Sequence, residues 1–187
     1  LTFAGTTNLD QGTKTFTSGT YRFADRAVLE TALGSLSAVL NNPSATLGES
    51  FNATLRTKGR TFTSSADVAK FGTWEVQGGA TTATEAEQLA KVTDVQEGGV
   101  MTITDLRLGS SQTLALSGGK LTFARLTNLD KGTKLFTEGT FSFGTGATLE
   151  TQKKSLSKLF EGGVSLLQDS EGATLQTKGD EFSSSTE

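Results

Sequence analysis

Cysteine and histidine are both missing from this chain of 187 residues. Their absence removes any disulfide framework, the imidazole base of the usual nucleophilic triads, and most zinc and haem ligation. Proline, tryptophan, tyrosine and methionine occur once each. Hydrophobic residues make up only 34% of the chain, and none of their runs approaches the length of a membrane-crossing helix. An excess of charge of one sign is missing too. Seventeen Lys and Arg are interspersed with 20 Asp and Glu, for a net charge of −3. A nucleic-acid surface needs a basic stripe, so this balance argues against one. The lack of cysteine leaves an extracellular home open, because a repetitive β stack needs no disulfides. The chain starts at Leu1 with neither Met nor signal peptide, so it reads as an excerpt or a processed segment.

What is abundant is threonine, with 32 residues, and glycine, with 22. Threonine suits a pleated, half-buried surface, and glycine supplies turns that other residues cannot make. The composition therefore predicts an all-β protein with many tight turns.

The chain also writes one stretch twice. Leu1–Gly59 returns as Leu121–Gly179 without a gap, with about half of the positions identical. LTFAGTTNLDQGTKTFTSGT, Leu1–Thr20, becomes LTFARLTNLDKGTKLFTEGT, Leu121–Thr140. Within this repeat, apolar triplets open segments at Val100, Leu121, Phe141 and Val164, in steps of about 18 to 24 residues. Gly or polar turn residues close them, as at Ser117-Gly118-Gly119, Glu138-Gly139-Thr140 and Glu161-Gly162-Gly163. Gly146–Glu150 and Gly172–Gln176 echo each other, as do Ala27–Thr31 and Ala53–Thr57.

Two architectures fit. In a parallel β-solenoid, each segment is a coil that stacks on the last, with apolar residues inward. In a tandem β-sandwich, each 120-residue unit is a module with strands every 8–12 residues. The second copy stops about 67 residues in. A sandwich cut there loses half its core, whereas a solenoid tolerates a cut at any coil, so the solenoid is preferred. The units are residues 1–120 and a truncated 121–187, or one continuous solenoid over 1–187. Roughly nine coils would make a rod on the order of 45 Å. The opening on LTF and the end at EFSSSTE carry no polar cap, so flanking repeat or end-to-end stacking is expected.

Two stretches read as helical excursions. Leu29, Leu33, Leu36 and Leu40 have helical spacing ended by Asn41-Asn42-Pro43, with Leu149, Leu156 and Phe160 in the second copy. Thr84–Val92 resembles a capped helix, with Thr84 as cap, Glu87 in the capping box and Gly98-Gly99 as the stop. The residues that keep their type across the copies form the expected core: Phe3, Phe16, Phe23, Leu29, Leu55 and Phe62, with Phe123, Phe136, Phe143, Leu149, Leu175 and Phe182.

GG-x-LTF at Gly118–Phe123, the paired GATL-E/Q segments and the recurrent polar-Gly-Thr turns resemble the passenger regions of bacterial autotransporters and related haemagglutinin-like adhesins. The likeness is greatest over Val100–Ser185, next over Leu1–Ser65, and fades over Ala66–Gly99. It implies a right-handed parallel β-helix displayed outside the cell. Phage tail fibres carry similar Thr/Gly strands. No family catalytic residue maps onto this chain.

The remaining polar motifs have modest readings. Asp10 and Asp130, in Asn-Leu-Asp-x-Gly-Thr, offer hard oxygens to a weak calcium site, but their pattern is better explained as turn chemistry. Glu30 and Glu150 read as solvated charges rather than a glycosidase pair. Lys14/Lys134 and Lys58/Lys178 read as charges that blunt exposed strands, with an anionic glycan as the other reading. Trp74 and Tyr21 would be sugar-stacking platforms if exposed. Tyr21 becomes Phe141 in the second copy and Trp74 lies in an alternating strand, so both are expected in the core. The Gly pairs at 78–79, 98–99, 118–119 and 162–163 are turns, not phosphate loops. Thr15/Thr17, Thr61/Thr63 and Thr102/Thr104 invite an ice-binding reading, which needs a flat regular array that uneven coil lengths disfavour.

No catalytic, cofactor-binding or metal residue is assigned. The sequence points to a non-enzymatic extracellular, cell-surface or virion-surface segment, forming a stalk, fibre or filament. Its expected partners are other copies or further repeats of itself, with a glycan or cell-surface ligand next, and without nucleic acid or membrane insertion. A carbohydrate-binding module or phage tail-fibre segment is the alternative, and a polysaccharide-cleaving β-helix enzyme comes third.

Overall fold

The computed structural model describes residues 1–41, 44–161, 163–179 and 181–184. It is a parallel β-solenoid of about seven turns with two short helices. Every strand pairing among the described residues is parallel, which rules out the tandem sandwich.

The coil has three faces, visited in a fixed order. The first turn runs from β1 (Thr2–Phe3) on face A to β2 (Thr6–Asn8) on face B. The second carries β3 (Gly19–Phe23) on A, β4 (Val28–Thr31) on B and helix α1 (Leu36–Leu40) on C. The third has β5 (Ala45–Leu47), β6 (Ser50–Lys58) and β7 (Thr61–Thr63). In the next two turns, 3-10 segments at Val68–Lys70 and Ala86–Gln88 take face A. Face B then carries β8 (Phe71–Gln77) and β10 (Val92–Gln96), and face C carries β9 (Thr81–Glu85) and β11 (Val100–Thr104). The long strands β12 (Thr113–Ala124) and β14 (Thr133–Phe143) each bend across both B and C, with β13 (Leu126–Thr127) between them on A. β15 (Thr148–Thr151), α2 (Leu156–Leu159) and β16 (Thr174–Thr177) follow.

Face B holds a seven-strand ladder, β2-β4-β6-β8-β10-β12-β14. Its six steps of about 4.8 Å span about 29 Å. The chain's next passage over this face is α2, so the ladder is shorter than the nine coils expected from spacing alone. The corner between B and C is made of glycine at each turn. A Cβ on Gly99 would lie 2.1 Å from the Val76 carbonyl oxygen, so only glycine lets the stacked corners approach this closely.

The two copies of the repeat fold alike. Thr6 pairs with Val28 and Val28 with Thr54, just as Leu126 pairs with Thr148 and Thr148 with Thr174. They lie on different faces, however. Leu1–Phe3 lies on face A and Leu121–Phe123 on face C; β2 and β4 are on B, while their counterparts β13 and β15 are on A. One repeat of 120 residues thus falls one face short of six turns, since six steps of face B carry Thr6 to Thr133.

Alternation builds the core. Leu29, Leu55, Trp74, Val76, Leu114, Leu116 and Phe136 point inward from face B, and Met101, Ile103, Leu121, Phe123, Phe141 and Phe143 from face C. Of the twelve expected core residues, eight are buried: Phe23, Leu29, Leu55, Phe62, Phe123, Phe136, Phe143 and Leu149. Phe3, Phe16 and Phe182 are only half-buried and Leu175 is 44% exposed, because these belong to the outermost turns, which are covered from one side only.

The helices are shorter than the leucine spacing predicts. Leu29 and Leu149 belong to strands, and only Leu36–Leu40 and Leu156–Leu159 are helical, capped by Ser35 and Ser155 at 3.1 and 3.3 Å from the Ala38 and Lys158 amides. Asn42 and Pro43 of the expected stop lie outside the described residues, as does Gly162 of the 162–163 pair. Thr84–Val92 is no α-helix: Thr84 is a buried strand residue of β9, and a single 3-10 turn without a side-chain cap follows. Inward packing of Thr82 and Thr84 overrides the capping pattern.

Candidate functional site

The polar motifs of the repeat act between turns. In Asn-Leu-Asp, the Asn8 side-chain oxygen accepts from the Asp10 amide at 2.9 Å, which fixes the turn. Both Asp10 carboxylate oxygens then reach the next turn, accepting from Thr31 Oγ1 at 2.6 Å and the Ala32 amide at 2.7 Å. Asp130 repeats this on Thr151 at 2.6 Å and the Gln152 amide at 2.8 Å. Thr31 and Thr151 are fully buried, so each carboxylate is an anchor between neighbouring coils. The turn reading from sequence is right for the first bond, but it missed the clamp to the next turn. Both oxygens already have protein donors, and the described residues contain no cluster of three or more His, Cys, Asp or Glu that could hold a metal.

Glu30 and Glu150 are paired rather than simply solvated. On face B, Glu30 meets Lys58 at 2.9 Å and Arg56 at 3.5 Å, and Arg56 reaches on to Glu75 at 2.7 Å. The hydrogen bond from Lys58, helped by Arg56, holds the Glu30 carboxyl below its ordinary value despite partial burial. Glu75 in turn raises the Arg56 guanidinium. In the second copy, Lys178 lies 2.5 Å from Glu150 and lowers it in the same way. Arg56 becomes the uncharged Gln176 in the second copy and Glu75 lies outside the repeated stretch, so the repeat points to neither. Their signal is the in-register step between neighbouring strands.

Lys58 and Lys178 thus point outward as expected, but Lys14 and Lys134 do not blunt a strand. Lys134 pairs with inward Leu114 in the β12–β14 register, and its side chain is 2% exposed. Phe136 must face the core, so a period of two turns Lys134 in and Leu135 out. Its ammonium meets Glu161 at 3.2 Å and donates to the Gly132 carbonyl at 3.2 Å. The half-buried Lys14 donates to the Leu9 carbonyl.

Trp74 is fully buried, with its indole N–H 3.3 Å from Thr57 Oγ1. Tyr21 is buried too, and burial, with Asp67 nearby, pushes its hydroxyl well above the usual range. Neither ring is available to stack on a sugar.

Face C is the most regular outer surface. One outward row reads Thr61, Thr81, Val100, Lys120, Thr140, and the next Thr63, Ala83, Thr102, Thr122, Ser142. The steps are 19 or 20 residues throughout, so the uneven coil lengths fall elsewhere. They lie on face B, at steps of 22 and 26. Among the described residues, the hydroxyls of Thr61, Thr63, Thr102 and Thr122 make no hydrogen bond to another group. What the arrangement offers is a regular outer surface of mostly small and hydroxyl side chains, with Lys120 and Glu85 as its charges along the described strands.

Among the described residues no helix is long and apolar enough to cross a membrane. Comparison with protein-family models, with curated proteins and with solved structures finds no match.

Proposed function

We propose that the chain is a non-enzymatic structural or adhesive segment of an extracellular stalk, fibre or filament of the passenger or tail-fibre kind. The observation behind this is the unbroken seven-strand ladder of face B. Each turn buries its neighbour's apolar edge and pairs its backbone, which gives rigid length without a globular core. Face C is the surface such a rod presents to a partner. The paired Glu30 and Glu150 and the doubly bonded Asp10 and Asp130 serve the stack, which argues against a polysaccharide-cleaving role. The buried Trp74 weighs against a carbohydrate module built on aromatic stacking.

The test is a pair of assays on the same preparation. Incubation with candidate polysaccharides is expected to release no reducing sugar, and small-angle scattering to give the profile of a single stack of coils, about 29 Å along the face B ladder. Sugar release above a heat-inactivated control would overturn the non-enzymatic reading. A profile that the stack of coils does not fit would overturn the rod.

A further inference from the structure

With Trp74 and Tyr21 in the core, Phe51 is the one exposed aromatic ring among the described residues, at 57%. It sits on the corner between faces A and B, with stacked turns on both sides of it. Ser50 lies opposite Phe71 and Thr54 opposite Thr73, so Phe51, Asn52 and Ala53 together face the single residue Gly72. Such a bulge re-aims a side chain, and here it turns the Phe51 ring outward. A Cβ on Gly72 would lie 1.9 Å from the Phe51 carbonyl oxygen, so the bulge is seated on backbone that only glycine provides. A hollow opens on each side of the ring, of about 500 and 440 Å³, and both are lined by Asp25, Phe51 and Asn52. Together they run from Thr2 in the first turn to Lys91 in the fifth. Those four steps of about 4.8 Å make a groove about 19 Å long.

The polar groups of this groove are not used by the stack. Arg26 has left-handed backbone, at φ 62°, where the second copy has Gly146. Arg125, the other arginine in that conformation, pairs with Asp105 at 3.0 Å. Among the described residues the side chains of Arg26 and Lys91 have no ion pair and no hydrogen bond. Asn52 donates to one Asp25 oxygen at 3.2 Å, which leaves the other Asp25 oxygen and the Asn52 amide oxygen open. The second copy keeps the frame of the corner without these groups. Ser50 Oγ accepts from the Phe23 amide at 3.0 Å and Ser170 Oγ from the Phe143 amide at 3.0 Å. Asp25, Arg26, Phe51 and Asn52, however, become Thr145, Gly146, Glu171 and Gly172. Folding the corner therefore does not require them.

We propose that this corner binds a carbohydrate chain, with the C–H face of one pyranose ring stacked on Phe51 and a uronate carboxylate between Arg26 and Lys91. The C–H groups of a sugar ring carry a slight positive charge, which the negative face of an aromatic ring attracts. Asp25 and Asn52, beside the ring, bond the hydroxyls at the sugar's rim. Glu49 lines only the hollow that holds Arg22, so the hollow of Arg26 and Lys91 has the surplus of positive charge. A carboxylate belongs on that side. The length of the groove suits linked sugars rather than a single one. The proposal goes beyond the stalk reading: it gives the stack a ligand on one corner without building on its core aromatics.

The test is an array of immobilised oligosaccharides, uronate-bearing and neutral, probed with the full chain labelled through Thr133→Cys, which lies away from the corner. Uronate-bearing oligosaccharides are expected to retain it, and calorimetry then gives the affinities. Phe51→Ala, at an exposed position, is expected to lower affinity at least about tenfold for every sugar retained. Arg26→Gly installs the residue of the second copy and suits the left-handed backbone, so it keeps the fold. It is expected to weaken binding of the uronate at least about fivefold, and of its carboxyl-reduced neutral analogue less than about twofold. Melting curves that match wild type check that both variants are intact. An array that retains no sugar would overturn the proposal, as would Phe51→Ala binding as tightly as wild type. Equal losses for the uronate and its neutral analogue in Arg26→Gly would overturn the place of the carboxylate. None of these results touches the scattering profile, so the site and the rod can fail separately.

Discussion

At the scale of single residues, polar side chains in this protein mostly hold one turn to the next. Lys134 is the sharpest case, a buried ammonium whose one carboxylate partner among the described residues, Glu161, is half in solvent. Glu161→Gln should destabilise by about 1–3 kcal/mol, because it strands the ammonium, whereas Lys134→Met should be neutral or stabilising. Urea melts of the two variants check this. Asp130→Ala should cost about 1.5–3 kcal/mol, since two charge-assisted bonds between coils are lost. Calcium or a chelator should leave the wild-type melting temperature unchanged, and a calcium-dependent rise would return Asp130 to the role of ligand. Glu30 sets a pH dependence. Its folded pKa lies below the ordinary 4.5, so the folded state binds fewer protons there. The stabilisation is present above about pH 4.5 and is lost as pH falls through the lowered folded value. Glu30→Gln should therefore cost under about 1 kcal/mol at neutral pH and converge with wild type in acid. A gap that widens in acid would show the opposite sign.

At the scale of elements, the sequence made the strands legible and the helices less so. The keeping of Phe23, Leu29 and Leu55 across the copies marked the inward positions, because a period of two and a buried face leave few substitutions open. The leucine spacing over Leu29–Leu40 misled, because strand and helix positions there happen to share one period. Lys134 was misread for a related reason: residue type suggested outward, and only the register with Leu114 shows it faces inward. Arg56 and Glu75 become a pair only once the step between their strands is known. Burial in the two copies separates Leu55 from Leu175, which are equal in sequence but not in covering. Leu55→Ala should cost about 2–5 kcal/mol and Phe136→Ala about 3–5 kcal/mol, with Leu175→Ala well below either. Equal losses at Leu55 and Leu175 in denaturant melts would mean that the last turn is as covered as the third.

At the scale of the whole molecule, the repeat and the coil do not share a period. A 120-residue repeat that falls one face short of six turns moves each conserved motif to the neighbouring face. The clamp of Asp10 sits at the end of a face-B strand and that of Asp130 at the end of a face-A strand. α1 crosses face C while α2 crosses face B. The two copies therefore display the same side chains in different directions around the stack. All of this depends on the turns being stacked in parallel and in register. Spin labels on Thr6→Cys and Thr133→Cys, in a chain with no native cysteine, measure that most directly. Both positions are exposed and lie six ladder steps apart on face B. Parallel stacking predicts one narrow distance distribution centred at about 29 Å between backbones, lengthened only by the label arms. A broad distribution, or a distance under about 15 Å as facing sheets about 10 Å apart would give, would contradict it.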